Sequence, residues 1–189
     1  MSDTKHIKVL YIHGRNRELF KIAAFSRVIS SQTLKCKFLS EHFDVRCLDM
    51  ETKDINKDIK LQEEEIRRFR PDVVVGSSYG GAIAVTLLQK GTWKGPTILL
   101  GQAFVKYANN DISKFWLPEG VEITLIHGTK DSIIPVEHSR LLATKGTHEL
   151  VKLVEVDDQH ELLSLIDNQW FLDLIQDVHN RKRNHSSSP

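Results

Sequence analysis

Apolar residues come along this chain in short runs, separated by longer stretches in which they recur every three or four positions. The short runs fall at residues 7–13, 43–48, 72–76, 97–100, 121–127 and 150–156. Most are nearly continuous, Val73-Val74-Val75 among them, which is the pattern of strands covered on both faces. The longer stretches predict helices near 18–40, 55–69, 80–90, 107–116 and 137–144. A last helix over 161–178 would align Leu162, Leu165, Ile166, Trp170, Leu174 and Val178 on one face.

Strands and helices alternate throughout, so the predicted fold class is α/β: a three-layer α/β/α sandwich around a mostly parallel six-stranded sheet. Its crossovers should be right-handed. There is no internal repeat and no low-complexity linker within the alternating part. A chain of 189 residues suits one domain, expected over 1–179. Residues 180–189 end in His185-Ser186-Ser187-Ser188-Pro189 and are expected to form a disordered tail.

Composition narrows the picture only a little. The chain is 40% hydrophobic and 27% charged with a formal net charge of +1, which gives no overall pull toward nucleic acid or an anionic membrane. The cluster Arg181-Lys182-Arg183 lies in the tail. No apolar run approaches the length of a membrane span, and the polar start through His6 leads directly into the first strand without a secretory apolar segment. Cys36 and Cys47 lack metal-type or redox-motif spacing. They are expected to stay reduced in a cytoplasmic protein.

Chemistry enters at Gly76-Ser77-Ser78-Tyr79-Gly80-Gly81, between a strand and a helix. A P-loop would require Lys after the glycines, and a dinucleotide fingerprint would require glycine where Ser78 stands. Gly-x-Ser-x-Gly does fit. In such an elbow the serine sits in a strained conformation at the tip of a sharp turn, so the residues two before and two after must be small. Ser78 has Gly76 and Gly80 in those places, whereas Ser77 has Val75 and Tyr79. Ser78 is therefore the candidate nucleophile; the competing role is a plain glycine turn.

A serine needs a base and an oriented partner, and on strand–turn–helix scaffolds these follow in the order Ser, Asp or Glu, His. Asp131 follows the strand that ends near Gly128, and His160 lies between the last strand and the last helix. Asp157 and Asp158 compete for the acid role, but they share a loop with His160 and are poorly placed to reach its far ring nitrogen. A turn-capping aspartate and a solvated loop histidine are the alternatives for the pair. The first strand ends in His13-Gly14-Arg15. Two backbone N–H groups are needed for an oxyanion, and Tyr79 and Arg15 are the candidates. His13 and His127 are assigned structural roles.

On these residues, His13-Gly14, Gly76 to Gly80, Gly128 to Pro135 and His160, the chain resembles a small α/β-hydrolase over residues 7–178. The resemblance implies strand order 2-1-3-4-5-6 and a site at the carboxyl ends of the strands, near the switch between strands 1 and 3. Gln159 departs from the glycine that many members carry before the histidine. The implied activity is that of a serine hydrolase cleaving a small carboxylester or thioester through an acyl-enzyme. Lactone, amide and carbon–carbon cleavage stay open.

No cofactor and no metal is required by that chemistry, and no ligand cluster calls for one. Small-molecule substrates are the expected partners. A short 102–120 interval stands where larger members insert a lid, and it holds Phe104, Tyr107, Phe115, Trp116 and Leu117. These would either roof a small acyl pocket or simply cover the sheet. Arg15, Arg17 and Lys21 would favour an anionic leaving group, or form a solvated helix start. The rival classes are a non-catalytic binding protein on the same fold and a flavodoxin-like nucleotide-binding module, though the latter has no need of Asp131 and His160.

Overall fold

Six parallel strands lie side by side among the described residues of the computed structural model, which are 4–15, 31–50, 53–109 and 111–186. In chain order the elements are β1 (Lys8–Ile12), α1 (Ser31–His42), β2 (Asp44–Arg46), α2 (Ile55–Phe69), β3 (Val73–Ser77) and α3 (Tyr79–Gln89). They continue as β4 (Thr97–Leu100), α4 (Phe104–Tyr107), β5 (Ile123–Gly128), α5 (Glu137–Ala143), β6 (Val151–Val156) and α6 (Gln169–Ser186). The sheet order β2-β1-β3-β4-β5-β6 matches the expected one, and every pairing is parallel.

The near-continuous apolar strands are explained by two separate cores. Leu10, Ile12, Val74, Leu99, Ile123 and Leu125 point to one face, where α2, α3 and α5 cover them with Ile59, Ile66, Ile83, Leu87 and Leu142. Val9, Tyr11, Val73, Val75, Ile98, Leu100 and Ile126 point to the other, under Phe38 and Leu39 of α1 and Phe171, Ile175 and Val178 of α6. Successive strand residues face opposite sides, so a sheet clothed twice must be apolar at every position.

Local signals set the helix ends. Asp54 caps α2 by accepting from the N–H groups of Asn56 and Lys57 at 3.0 and 3.4 Å. Arg70, in a left-handed conformation (φ 52°), ends it.

Four expectations are corrected. The helix expected near 18–40 is described from Ser31 and runs to His42; residues 16–30 lie outside the described residues. In place of a helix over 107–116 there is one turn, α4, and a short 3-10 segment, Ile112–Lys114, because Asn109 adopts φ 53° and breaks the run. The last helix begins at Gln169 and not near 161. Leu162 and Asp167 have φ 49° and 57°, and Asn168 Oδ1 accepts the Trp170 N–H at 3.0 Å to start the helix. Trp170 is consequently exposed, while Phe171 and Leu172 join the buried face. Finally, α6 continues to Ser186, past the boundary expected at residue 180. Arg181 Nη2 meets Glu122 Oε1 at 2.6 Å, tying the start of the expected tail to the domain. Residues 187–189 lie outside the described residues.

Candidate active site

The β3–α3 junction bends more sharply than ordinary residues permit. Ser78 has φ 52° and ψ −112°, a conformation disfavoured for any residue with a Cβ. Its backbone is pinned on both sides: its N–H donates to Leu100 O at 2.8 Å, and its carbonyl accepts from Ala103 N–H at 3.0 Å. The flanking glycines are sterically obligatory. A Cβ on Gly80 would lie 1.9 Å from the Ile12 carbonyl oxygen, and one on Gly76 would lie 2.7 Å from the Gly80 oxygen. This close approach of α3 to β1 and β3 leaves Ser78 half-buried at the sheet's carboxyl edge.

Ser78, Asp131 and His160 meet there. His160 Nε2 lies 2.9 Å from Ser78 Oγ, and His160 Nδ1 lies 2.7 Å from Asp131 Oδ2. The Asp131 side chain is 1% exposed. Burial would raise its carboxyl, but hydrogen bonds from His127, His160 and the N–H groups of Ile134 and Ile133 prevail and hold it below the usual carboxylate range. An ionised Asp131 requires the Nδ1 of a neutral His160 to carry the proton. Nε2 is then free to accept from the serine hydroxyl. Asp157 pairs instead with Lys130, at 2.7 Å. Asp158 accepts from the N–H groups of Gln159 and Ser164 at 2.6 and 2.8 Å, bracing the loop around His160.

His127 reaches further than its expected structural role. It is fully buried on β5, with Nε2 3.2 Å from Asp131 Oδ2 and 2.9 Å from Ile134 O, and Nδ1 2.7 Å from Ser139 Oγ. Two oxygen acceptors at Nε2 demand a proton there; in the neutral ring Nδ1 then accepts from the Ser139 hydroxyl. Gln102 Nε2 in turn donates to Ser139 Oγ at 3.3 Å. The acid is thus held between two imidazoles, the one facing the serine and the other facing the core. The sequence signal was the position of His127, four residues before Asp131 at the end of an apolar strand.

The loop after β1 meets the elbow from the other side. His13 is buried and bonds through Nδ1 to the Gly14 carbonyl at 2.5 Å. The Arg15 guanidinium lies 5.1 Å from the Tyr79 ring centroid and 5.5 Å from that of Tyr107, a geometry that favours cation–π attraction. Tyr79 in turn donates its hydroxyl to Asp58 Oδ2 at 2.6 Å. Tyr79 opens α3, where a backbone N–H has no acceptor within its own helix. Arg17 and Lys21 lie outside the described residues. Of the residues expected to roof a pocket, Phe104, Phe115 and Leu117 are buried in the core and Trp116 is exposed. Among the described residues no group of three His, Cys, Asp or Glu side chains is arranged to hold a metal ion. Nor is any helix among them long and apolar enough to cross a membrane.

No protein-family model matches the chain, and no curated protein sequence matches it. Solved structures do resemble it. A protein from Pectobacterium atrosepticum, provisionally named a YdeN-like hydrolase, superposes with TM-score 0.68 at 13% identity, covering 93% of this chain and 91% of the other. The meta-cleavage product hydrolase from Pseudomonas fluorescens gives TM-score 0.66 at 14% identity over 95% and 92% of the two chains. An alpha/beta hydrolase enzyme from a lagoon-sediment metagenome gives 0.62 at 11% identity over 96% and 94%. The chain has the α/β-hydrolase fold.

Proposed function

We propose that this protein is a serine hydrolase that cleaves a small carboxylester or thioester through an acyl-enzyme, with Ser78 as nucleophile, His160 as base and Asp131 as its orienting acid. What carries the proposal is the hydrogen-bonded line from Asp131 through His160 to a strained Ser78 at 2.7 and 2.9 Å. A glycine turn has no use for it. In acylation the Ser78 proton passes to His160 Nε2 while Oγ attacks the carbonyl carbon. The oxyanion is received by the backbone N–H groups of Tyr79 and Arg15. Collapse expels the alcohol or thiol with the proton from His160; water, deprotonated by His160, then releases the acid. The short 102–120 interval supports a preference for short acyl groups.

The decisive experiment is labelling with a fluorophosphonate and mapping of the adduct, with hydrolysis of short p-nitrophenyl esters measured in parallel. Ser78 should carry the label; Ser78→Ala should lose both label and turnover, and Ser77→Ala should keep both. An adduct on Ser77, or full activity in Ser78→Ala, overturns the nucleophile assignment. Labelling without turnover of any ester or thioester favours a binding protein on the same fold.

A further inference from the structure

A charged side chain lies buried directly behind the base. Lys35, on α1, is 1% exposed, which is rare for lysine unless the ammonium is matched by acceptors. Its Nζ donates to the backbone carbonyl of Glu161, 126 residues away and immediately after His160. The charged groups facing it are the carboxylates of Glu161 and Asp158, both in the loop that carries His160. Around this contact Phe38 and Leu39 of α1 share a buried cluster with Leu162 and Leu165.

The loop needs such an anchor. Leu162, the next residue, is held at φ 49° and ψ 51°, a left-handed conformation that a leucine does not favour on its own. On the other side of His160, Asp158 O accepts from Lys130 N–H at 3.0 Å, and the Asp158 carboxylate braces Gln159 and Ser164. Beyond His160, Lys35 supplies a hydrogen bond that reaches this loop from α1, in another layer of the molecule.

We propose that Lys35 is a positioning residue for His160: its buried ammonium anchors the Glu161 carbonyl and so fixes the loop that aims Nε2 at Ser78. The assignment rests on the serine-hydrolase reading above and adds a regulator of its alkaline range. Burial lowers the Lys35 ammonium to about 8, against the raising pull of Glu161 and Asp158. The charged form that holds the carbonyl therefore prevails below that pH and is lost above it. Deprotonation removes the attraction to both carboxylates and weakens the anchor.

The test compares the full-length wild type with Lys35→Met, which keeps length without charge, and Lys35→Arg, which stays charged at every accessible pH. The rate of fluorophosphonate labelling at Ser78 is followed across the alkaline range, with thermal melting as a check on folding. The wild-type rate should fall as pH rises through about 8. Lys35→Met should label more slowly, on the order of 10²-fold as for a misplaced base, and show no such fall. Lys35→Arg should retain most of the rate and move the fall to higher pH. Equal labelling by folded Lys35→Met overturns the proposal. If that variant does not fold, superimposable pH profiles of Lys35→Arg and wild type overturn it. If the wild type itself takes no label, the hydrolase reading fails. The anchor is then judged by ¹⁵N NMR of His160, whose hydrogen-bonded Nδ1 proton should be lost in Lys35→Met; an unchanged resonance overturns the anchor.

Discussion

The elbow that carries Ser78 and the loop that carries His160 face each other across 2.9 Å, yet side chains contribute far more to holding the loop than the elbow. The elbow is fixed by backbone: glycine contacts closer than a side chain would permit, and main-chain bonds to Leu100 and Ala103. The His160 loop is fixed mainly by side chains: Asp131 and the Lys35 ammonium reach in from elsewhere, and the loop's own Asp158 carboxylate braces it. A main-chain bond also runs from Lys130 N–H to Asp158 O. Damage to the elbow should therefore appear as loss of folding. Damage to the loop should appear as loss of alignment in a protein that still folds.

The sharpest way to break this comparison is at the acid. Asp131→Asn should fold but lose on the order of 10⁴-fold in kcat, because an amide stabilises the wrong imidazole tautomer. Near wild-type esterase kinetics in this variant, with Asp157→Asn inactive, would mean the acid is misassigned. Stability should also respond to pH. The Asp131 carboxyl is depressed in the folded state, so its contribution is complete above its unfolded value near ~3.9 and lost as pH falls further. The margin of wild type over Asp131→Asn in urea melts should shrink with acid below about pH 4.

Next comes Gly80→Ala. With the Ile12 carbonyl oxygen only 1.9 Å from the new Cβ, α3 must shift, and a loss of about 3 kcal/mol in denaturant unfolding is expected. A soluble variant of unchanged stability and merely slower turnover would erase the distinction between elbow and loop. A smaller effect belongs to Asp158→Ala, which removes two braces from the loop. About 1 kcal/mol of stability should go, with a larger proportional fall in kcat than in melting temperature. Smallest is deletion of 181–189. It sacrifices the Arg181–Glu122 pair, 40% exposed on the arginine side, and should cost no more than about 1 kcal/mol. A collapse of the thermal transition would show that the end of α6 is essential to the domain.

Which parts of this were legible in advance follows from how local each signal is. Strands with apolar residues on both faces betray themselves in consecutive letters, and so does the turn at Gly76 to Gly80, since its steric rule is written two residues either side of Ser78. Asp131 and His160 were legible because each follows a strand, and parallel strands deliver their carboxyl ends to one edge. The start of α6 was not legible: Leu162 and Leu165 keep a helical spacing, and the left-handed turns at Leu162 and Asp167 that interrupt it leave no periodic trace. The extension of α6 past residue 180 was not legible either, because Arg181 finds its partner on the strand-entry loop at Glu122. Lys35 was out of reach for the same reason, and His127 showed only its place four residues before Asp131, not the contact it makes there. Their importance lies in what a distant segment brings to them, and in one dimension each is an ordinary polar residue.

Asp131 has a consequence of its own. A carboxylate offers about four acceptor sites, and here all are occupied: Oδ1 by the N–H groups of Ile133 and Ile134 at 2.8 Å each, Oδ2 by His160 and His127. No acceptor remains for a water molecule, and none can be gained by turning. The group works as a fixed mount: the plane of its carboxylate is set by the turn beneath it, and the plane of the His160 ring is set by the carboxylate. Rotational freedom that a carboxylate with fewer partners would keep has already been given up when the chain folds. Ser78 Oγ therefore faces an imidazole whose orientation is set by the fold.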